Sequence, residues 1–117
     1  MVKKYEIIFV NLNPVRGAEK RGLRPCLVLQ NNPANRSRLQ TVTVAPITKH
    51  TRNFQSMLSI SATPSNGLKL DSAVDLSQIR TIDTSRIDKT LGFLEPKYYK
   101  EISEKIINFL DLRDEYL

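Results

Sequence analysis

A chain of 117 residues with 40% hydrophobic and 26% charged side chains has the size and composition of one globular domain, which excludes intrinsic disorder and leaves little room for a separate regulatory module. Its longest apolar runs, residues 7–10 and 26–29, fall far short of the roughly 20 residues that span a bilayer, and its MVKKYE start precedes no long apolar stretch, so a cytoplasmic protein without membrane contact is expected. The net charge of +6 is concentrated: residues 1–38 hold eight cations against two acids, whereas residues 39–117 hold ten of each, so a polyanion would meet the excess in the first third of the chain.

Residues 5–12 (YEIIFVNL) are β-rich and stop at the turn dipeptide Asn13-Pro14, which predicts a first strand. A glycine-bounded cationic loop follows, and then PCLVLQ (25–30) reads as a second strand. The lone cysteine, Cys26, cannot close an intrachain disulfide. Its apolar neighbours predict a buried structural thiol, with a reactive nucleophile as the alternative. Residues 31–38 (NNPANRSR) are turn material, and residues 40–47 alternate Thr with Val as a half-buried strand should. After a polar loop at 48–53, residues 55–61 restart a strand, and residues 61–69 form a loop punctuated by Pro64 and Gly67. Residues 72–82 supply two strands or one bent strand, 83–87 a turn and 88–94 a last strand. At Pro96 the period changes. Tyr99, Ile102, Ile106, Phe109 and Leu110 recur at three- and four-residue spacing, which predicts a core-facing amphipathic helix to about residue 112.

Many short strands with one appended helix give a mainly β protein with a C-terminal helix, folded as a small, strongly bent barrel or curled sheet. Gly17, Gly22, Gly67 and Gly92 fall at predicted bends or loops, which favours closure of that sheet. One strand pair would gather an acid (Glu19), cations (Lys20, Arg21, Arg24) and an exposed threonine (Thr48), parts suited to gripping a phosphodiester.

The available chemistry is narrow. A single histidine, His50, excludes a His-pair acid/base ribonuclease and a His-pair metal site; in its polar loop it is either solvated or in contact with phosphate. Asp71, Asp75, Asp83 and Asp88 are spread along strands and turns, not set in a two-metal motif. If this chain cuts nucleic acid, it must do so without metal or cofactor. RNA permits that, because its 2′-hydroxyl is an internal nucleophile beside the phosphorus. The enzyme needs only to align the attack and steady the transition state. An arginine fork supplies fixed donors that never lose their charge.

LNPVRGAEKRGLRPCLVLQNN (12–32), the Asn35-Arg36 pair, VAPIT (44–48) and SQIRTID (77–83), in register and followed by the helix, resemble the MazF/PemK family of toxin endoribonucleases across nearly the whole chain. The resemblance implies an SH3-like small β-barrel with a C-terminal helix, of the PemK/CcdB-like toxin type, over a single domain of residues 1–117. It also implies the toxin of a type II toxin-antitoxin system, a homodimer that cuts single-stranded RNA at short sequences, leaves 2′,3′-cyclic phosphate and 5′-hydroxyl ends and so inhibits translation. Neither metal nor cofactor is implied. The implied partner is a short antitoxin whose acidic, disordered tail occupies the RNA groove.

By position, Arg24 matches the family's catalytic arginine, as transition-state clamp and proton donor, and Thr48 matches its catalytic threonine, holding a nonbridging oxygen. Glu19 matches the acid of the loop, with base recognition, loop bracing and a general-base role all open. Lys20, Asn35, Arg36, Ser77, Gln78 and Arg80 are the expected RNA-binding set. Within it Gln78 and Arg80 would line the cleft, with pairing to Asp83 as the alternative for Arg80, and Asn35 and Arg36 would shape the turn beside the groove. Three departures qualify the match. Lys4-Tyr5-Glu6 stands where the family often has Arg-Gly-Asp or Arg-Gly-Glu, so the glycine bend is missing. Ala18 replaces a histidine of the PemK branch, and Asp75 and Ser77 stand where that branch uses arginine and aspartate, so its acid/base assignment does not transfer. The alternative function is a noncatalytic binding module of the same fold, either poisoning gyrase through the terminal helix or binding RNA without cutting it.

Overall fold

The computed structural model describes residues 1–14, 16–19, 22–49 and 54–113, so Lys20, Arg21 and His50 lie outside the described residues. Seven strands, β1 (Glu6–Asn11), β2 (Leu23–Val28), β3 (Thr41–Thr48), β4 (Met57–Ile60), β5 (Ser72–Asp75), β6 (Arg80–Asp83) and β7 (Ile87–Phe93), are joined by helices α1 (Asn32–Asn35) and α2 (Tyr99–Leu110). They form one antiparallel sheet in the order β4-β5-β3-β2-β1-β7, with β6 also paired to β3. Residues 72–82 thus make two strands, and a 3₁₀ turn at Leu76–Gln78 separates them.

β3 organises the site. Its first half pairs with β6 from Thr41↔Asp83 to Val44↔Arg80, and its end pairs with β5 at Ile47↔Val74 and Thr48↔Ala73. Pro46, which has no N–H to give, falls in the break between those two ladders, where a missing donor disrupts nothing.

The sheet curls strongly but does not close. Where a closing strand would sit against β7, the 61–69 loop lies instead: the Phe93 N–H donates to the Ser65 carbonyl at 3.0 Å. The approach is so close that a Cβ on Gly92 would fall 2.3 Å from the Ser65 oxygen, and one on Gly67 2.1 Å from the Leu91 oxygen. These glycines therefore seat a loop and do not bend a barrel wall. The loop is held from within by Asn66, whose amide donates to Ser61 O and Glu95 Oε1 and accepts from the N–H groups of Thr63 and Leu68.

The central strands are buried on both faces, which is why they read as unbroken apolar runs. Ile7, Leu27, Ala45, Ile47 and Val74 pack on one side with Leu76, Leu94 and Ile102 of α2. Ile8, Val10, Leu12, Cys26, Val28, Val42, Val44 and Ile82 form a second cluster on the other side.

Two local expectations are corrected. Residues 31–36 are not a simple turn, because Asn31 accepts from the Ala34 N–H at 2.9 Å and caps the one-turn helix α1, with Pro33 in its first turn. At the other end, α2 stops at Leu110, where Asp111 turns left-handed at φ 54°. Ile102 is buried and Tyr99 and Ile106 are half-buried, but Phe109 and Leu110 are 49% and 50% exposed. The helix packs over β4 and the Leu76–Gln78 turn, and its last turn runs past them.

Candidate functional site: a polar cleft at the open end of β2 and β3

β2 and β3 are antiparallel, with Cys26↔Pro46, Leu27↔Ala45 and Val28↔Val44 paired, and α1 closes one end of the pair. That pairing stops at Cys26↔Pro46, and Arg24 and Thr48 lie two residues beyond it on their two strands, at the open end. Pro25 keeps Arg24 extended. Thr48 is not the exposed hydroxyl that the sequence suggests: it ends β3 at 3% exposure, paired with Ala73 of β5 on its other side.

Arg24 shares its parity on β2 with Cys26 and Val28, so it stands at the rim of the second core cluster. The thiol of Cys26 reports on its surroundings. Burial pushes it up to about 12, against the guanidinium groups of Arg24 and Arg80, which both pull it down. Two cations on different strands therefore flank one buried sulfur. That sulfur, protonated at neutral pH, is no nucleophile, as its apolar neighbours predict.

Beside it, Glu19, Pro46, Ser77, Gln78, Ile79 and Arg80 line a cleft of about 200 Å³. The structure thus gathers Glu19, Ser77, Gln78 and Arg80, residues from distant parts of the chain, around one opening. Arg80 donates through Nη1 to the Leu12 carbonyl at 3.3 Å. Asp83, its alternative partner from sequence, instead accepts from the Ser85 N–H at 2.8 Å, capping the 3₁₀ turn Thr84–Arg86. Glu19 braces its loop: Oε1 accepts from the Arg16 N–H at 2.5 Å, and the Glu19 N–H returns a bond to the Arg16 carbonyl at 3.1 Å. Asn35 and Arg36 lie at the other end of the hairpin. Asn35 is buried there against Gln30, donating to its carbonyl at 3.0 Å and accepting from its amide at 3.1 Å, so it shapes the turn and does not face the cleft.

Asp75 was not a sequence candidate. It is 3% exposed at the end of β5, and its Oδ1 accepts from both the N–H and the hydroxyl of Ser77, at 3.1 and 2.5 Å. The Asp-x-Ser spacing before a turn is the signal that could have found it. Among the described residues, no group of three or more His, Cys, Asp or Glu side chains is placed to hold a metal ion. No helix of the described residues is long and apolar enough to cross a membrane.

A second groove, of about 440 Å³, opens beside the same strand end, with Phe9, Leu23 and Leu70 among its apolar lining and Lys49, Lys69 and Lys89 among its cations. Arg24 lines it as well.

A curled seven-stranded sheet backed by a C-terminal helix is a fold found among bacterial toxins. Residues 3–110 match the family described as PemK-like, MazF-like toxin of type II toxin-antitoxin system, and the chain belongs to that family. It is 33% identical over 115 residues to the endoribonuclease EndoA of Bacillus subtilis, covering 97% of this chain and 98% of that one. The solved Mycobacterium tuberculosis toxin MazF-mt6 superimposes with a TM-score of 0.78 at 28% identity, over 92% of this chain and 98% of the toxin. An endoribonuclease of a Mycobacterial species, solved in complex with its cognate antitoxin, has the same fold, with a TM-score of 0.80 at 18% identity over 97% of this chain and 98% of that one.

Proposed function

We propose that residues 1–117 act as a single toxin domain that cleaves single-stranded RNA in the cytoplasm, leaving a 2′,3′-cyclic phosphate and a 5′-hydroxyl and so halting translation. What supports this reading is the β2–β3 pairing, which ends at Cys26↔Pro46, two residues short of Arg24 on one strand and of Thr48 on the other, with a cleft lined by Glu19, Pro46, Gln78 and Arg80 at that end. Attack by the 2′-hydroxyl forms the bond to phosphorus as the bond to the 5′-oxygen breaks. Charge accumulates on the nonbridging oxygens, where the Arg24 guanidinium offers its fork and the Thr48 hydroxyl a directed donor. Water takes the 2′-hydroxyl proton and water returns one to the departing 5′-oxygen, while the Arg24 guanidinium, which keeps its charge, stays bonded to the phosphate. Glu19 holds the loop and faces the bases, with Lys20, Ser77, Gln78 and Arg80 completing the RNA contacts. No step requires a metal or cofactor, since the substrate carries its own nucleophile.

The partner is a cognate antitoxin with an acidic, disordered tail, and the working unit is a homodimer. Lysines at the edge of an apolar groove that reaches Arg24 suit such a tail, which would mask the arginine on binding. Exposed Ile107, Leu110 and Leu112 on the last turn of α2 and just beyond it offer apolar surface of the kind that subunit contacts cover.

The test is incubation of the purified protein with long single-stranded RNA in EDTA, with Arg24→Ala as control. Wild type should release discrete fragments and the variant almost none. Intact RNA at every enzyme concentration overturns the reading, and RNA bound but uncut would select the noncatalytic binding module.

A further inference from the structure

We infer that Ser77, oriented by Asp75, is an acceptor-only contact in the cleft that selects an RNA base bearing an exocyclic amino group. The inference rests on the RNA-cleaving reading of the same cleft.

Asp75 Oδ1 already accepts from the Ser77 backbone N–H, at 3.1 Å. A backbone N–H can only donate, so this oxygen is acting as an acceptor. The hydrogen in its 2.5 Å contact with Ser77 Oγ must therefore belong to the serine. A hydroxyl has one hydrogen and two lone pairs. With the hydrogen directed inward, Ser77 presents lone pairs alone to the cleft that it lines with Gln78 and Arg80.

The arrangement is fixed from behind. Asp75 is 3% exposed, and Leu76, between the two residues, is fully buried in the core. Turning the hydroxyl outward would take one charge-assisted hydrogen bond from a buried carboxylate, a cost that opposes reorientation.

A base that contacts Ser77 must donate. Adenine N6, cytosine N4 and guanine N2 do so. Hypoxanthine and uracil place a carbonyl oxygen where adenine and cytosine carry the amino group, setting acceptor against acceptor. Losing one such hydrogen bond corresponds to roughly a five- to tenfold loss in cleavage rate.

The test maps cleavage ends on long single-stranded RNA for wild type, Ser77→Ala and Ser77→Thr, then compares matched oligonucleotides carrying adenine or hypoxanthine, and cytosine or uracil, at each position around the cut. Wild type should favour the amino-bearing base roughly five- to tenfold at one position. Ser77→Ala should lose the preference there while keeping it elsewhere, and Ser77→Thr should retain it. Asp75→Ala, which removes the oxygen that takes the hydroxyl hydrogen and so frees it to turn outward, should admit the carbonyl-bearing base; thermal unfolding confirms that each variant is folded. Wild-type fragments together with an unchanged preference profile in Ser77→Ala overturn this inference and leave RNA cleavage standing. A wild-type protein that releases no fragments overturns the cleavage reading, and this inference with it.

Discussion

Tyr5 stacks on Tyr99 with ring centroids 3.8 Å apart and planes 10° from parallel, and it does so at a φ of 69°, in the left-handed region that favours glycine. Its backbone is bonded on both sides, the N–H donating to Val28 O at 2.8 Å and the carbonyl accepting from the Leu94 N–H at 2.9 Å. The chain therefore makes the bend at the entry of β1 without a glycine, and the stack against α2 offsets the backbone strain.

That trade can be measured. Tyr5→Gly loses the stack but relieves the strain, whereas Tyr5→Ala loses the stack and keeps the strain, so the glycine variant should be the more stable of the two by about 1 kcal/mol. Urea unfolding of both decides it. An alanine variant as stable as the glycine one would show that the left-handed turn costs nothing here.

The 61–69 loop depends on a missing side chain. Gly67 has a φ of +72°, and a Cβ there would meet backbone of Leu91, which cannot swing aside as a side chain could. Gly67→Ala should therefore cost roughly 2–4 kcal/mol, read as a lowered urea midpoint. A loss below about 0.5 kcal/mol would mean that the loop does not sit against β7.

Cys26 gives a pH dependence with a definite sign. Folding raises its thiol from the ordinary 9.0 to about 12, mainly through burial. The neutral thiol is thus favoured in the fold, and the stability it contributes is fully present below pH 9.0 and lost as pH rises toward about 12. Over that window the unfolding free energy should fall by up to about 1.4 kcal/mol per pH unit more steeply in wild type than in Cys26→Ala. Parallel alkaline profiles for the two proteins would contradict the assignment.

Arg24 acts through the shape of its fork as well as its charge. Arg24→Lys keeps a cation at the strand end but loses the paired, planar donors, so cleavage should fall by about a hundredfold or more, nearly as far as in Arg24→Ala. Single-turnover rates on one oligonucleotide measure this. Near-complete rescue by lysine would reduce Arg24 to a point charge.

Much of this arrangement is visible in the sequence because local pattern and tertiary position agree. The apolar runs of β1 and β2, the Thr-Val alternation of β3 and the change of period at Pro96 each mark an element that the structure contains. Where reading failed, the deciding contact was distant. The stripe on α2 is periodic through Leu110, but only the position of β4 and the Leu76–Gln78 turn determines that Phe109 and Leu110 escape burial. Glycine spacing suggested closure, yet Gly67 and Gly92 are needed for the approach of a loop to β7. Tyrosine gives no hint of a left-handed turn, since the ring that stabilises it lies ninety-four positions away. The site divides in the same way. Resemblance to the family proposes Arg24, Thr48, Glu19 and Gln78, whereas Asp75 is marked in the sequence only by its Asp-x-Ser spacing and gains meaning once its carboxylate is seen beneath Ser77.

The most direct test of the central claim uses a DNA oligonucleotide carrying one ribonucleotide at the mapped cleavage position, incubated in EDTA. If the 2′-hydroxyl is the nucleophile and Arg24 and Thr48 steady its attack, the strand should be cut only 3′ of that ribonucleotide, leaving a 2′,3′-cyclic phosphate, with little product from Arg24→Ala or Thr48→Ala. Equal cutting of the all-DNA strand, or of one with a 2′-O-methyl group at that position, would contradict it.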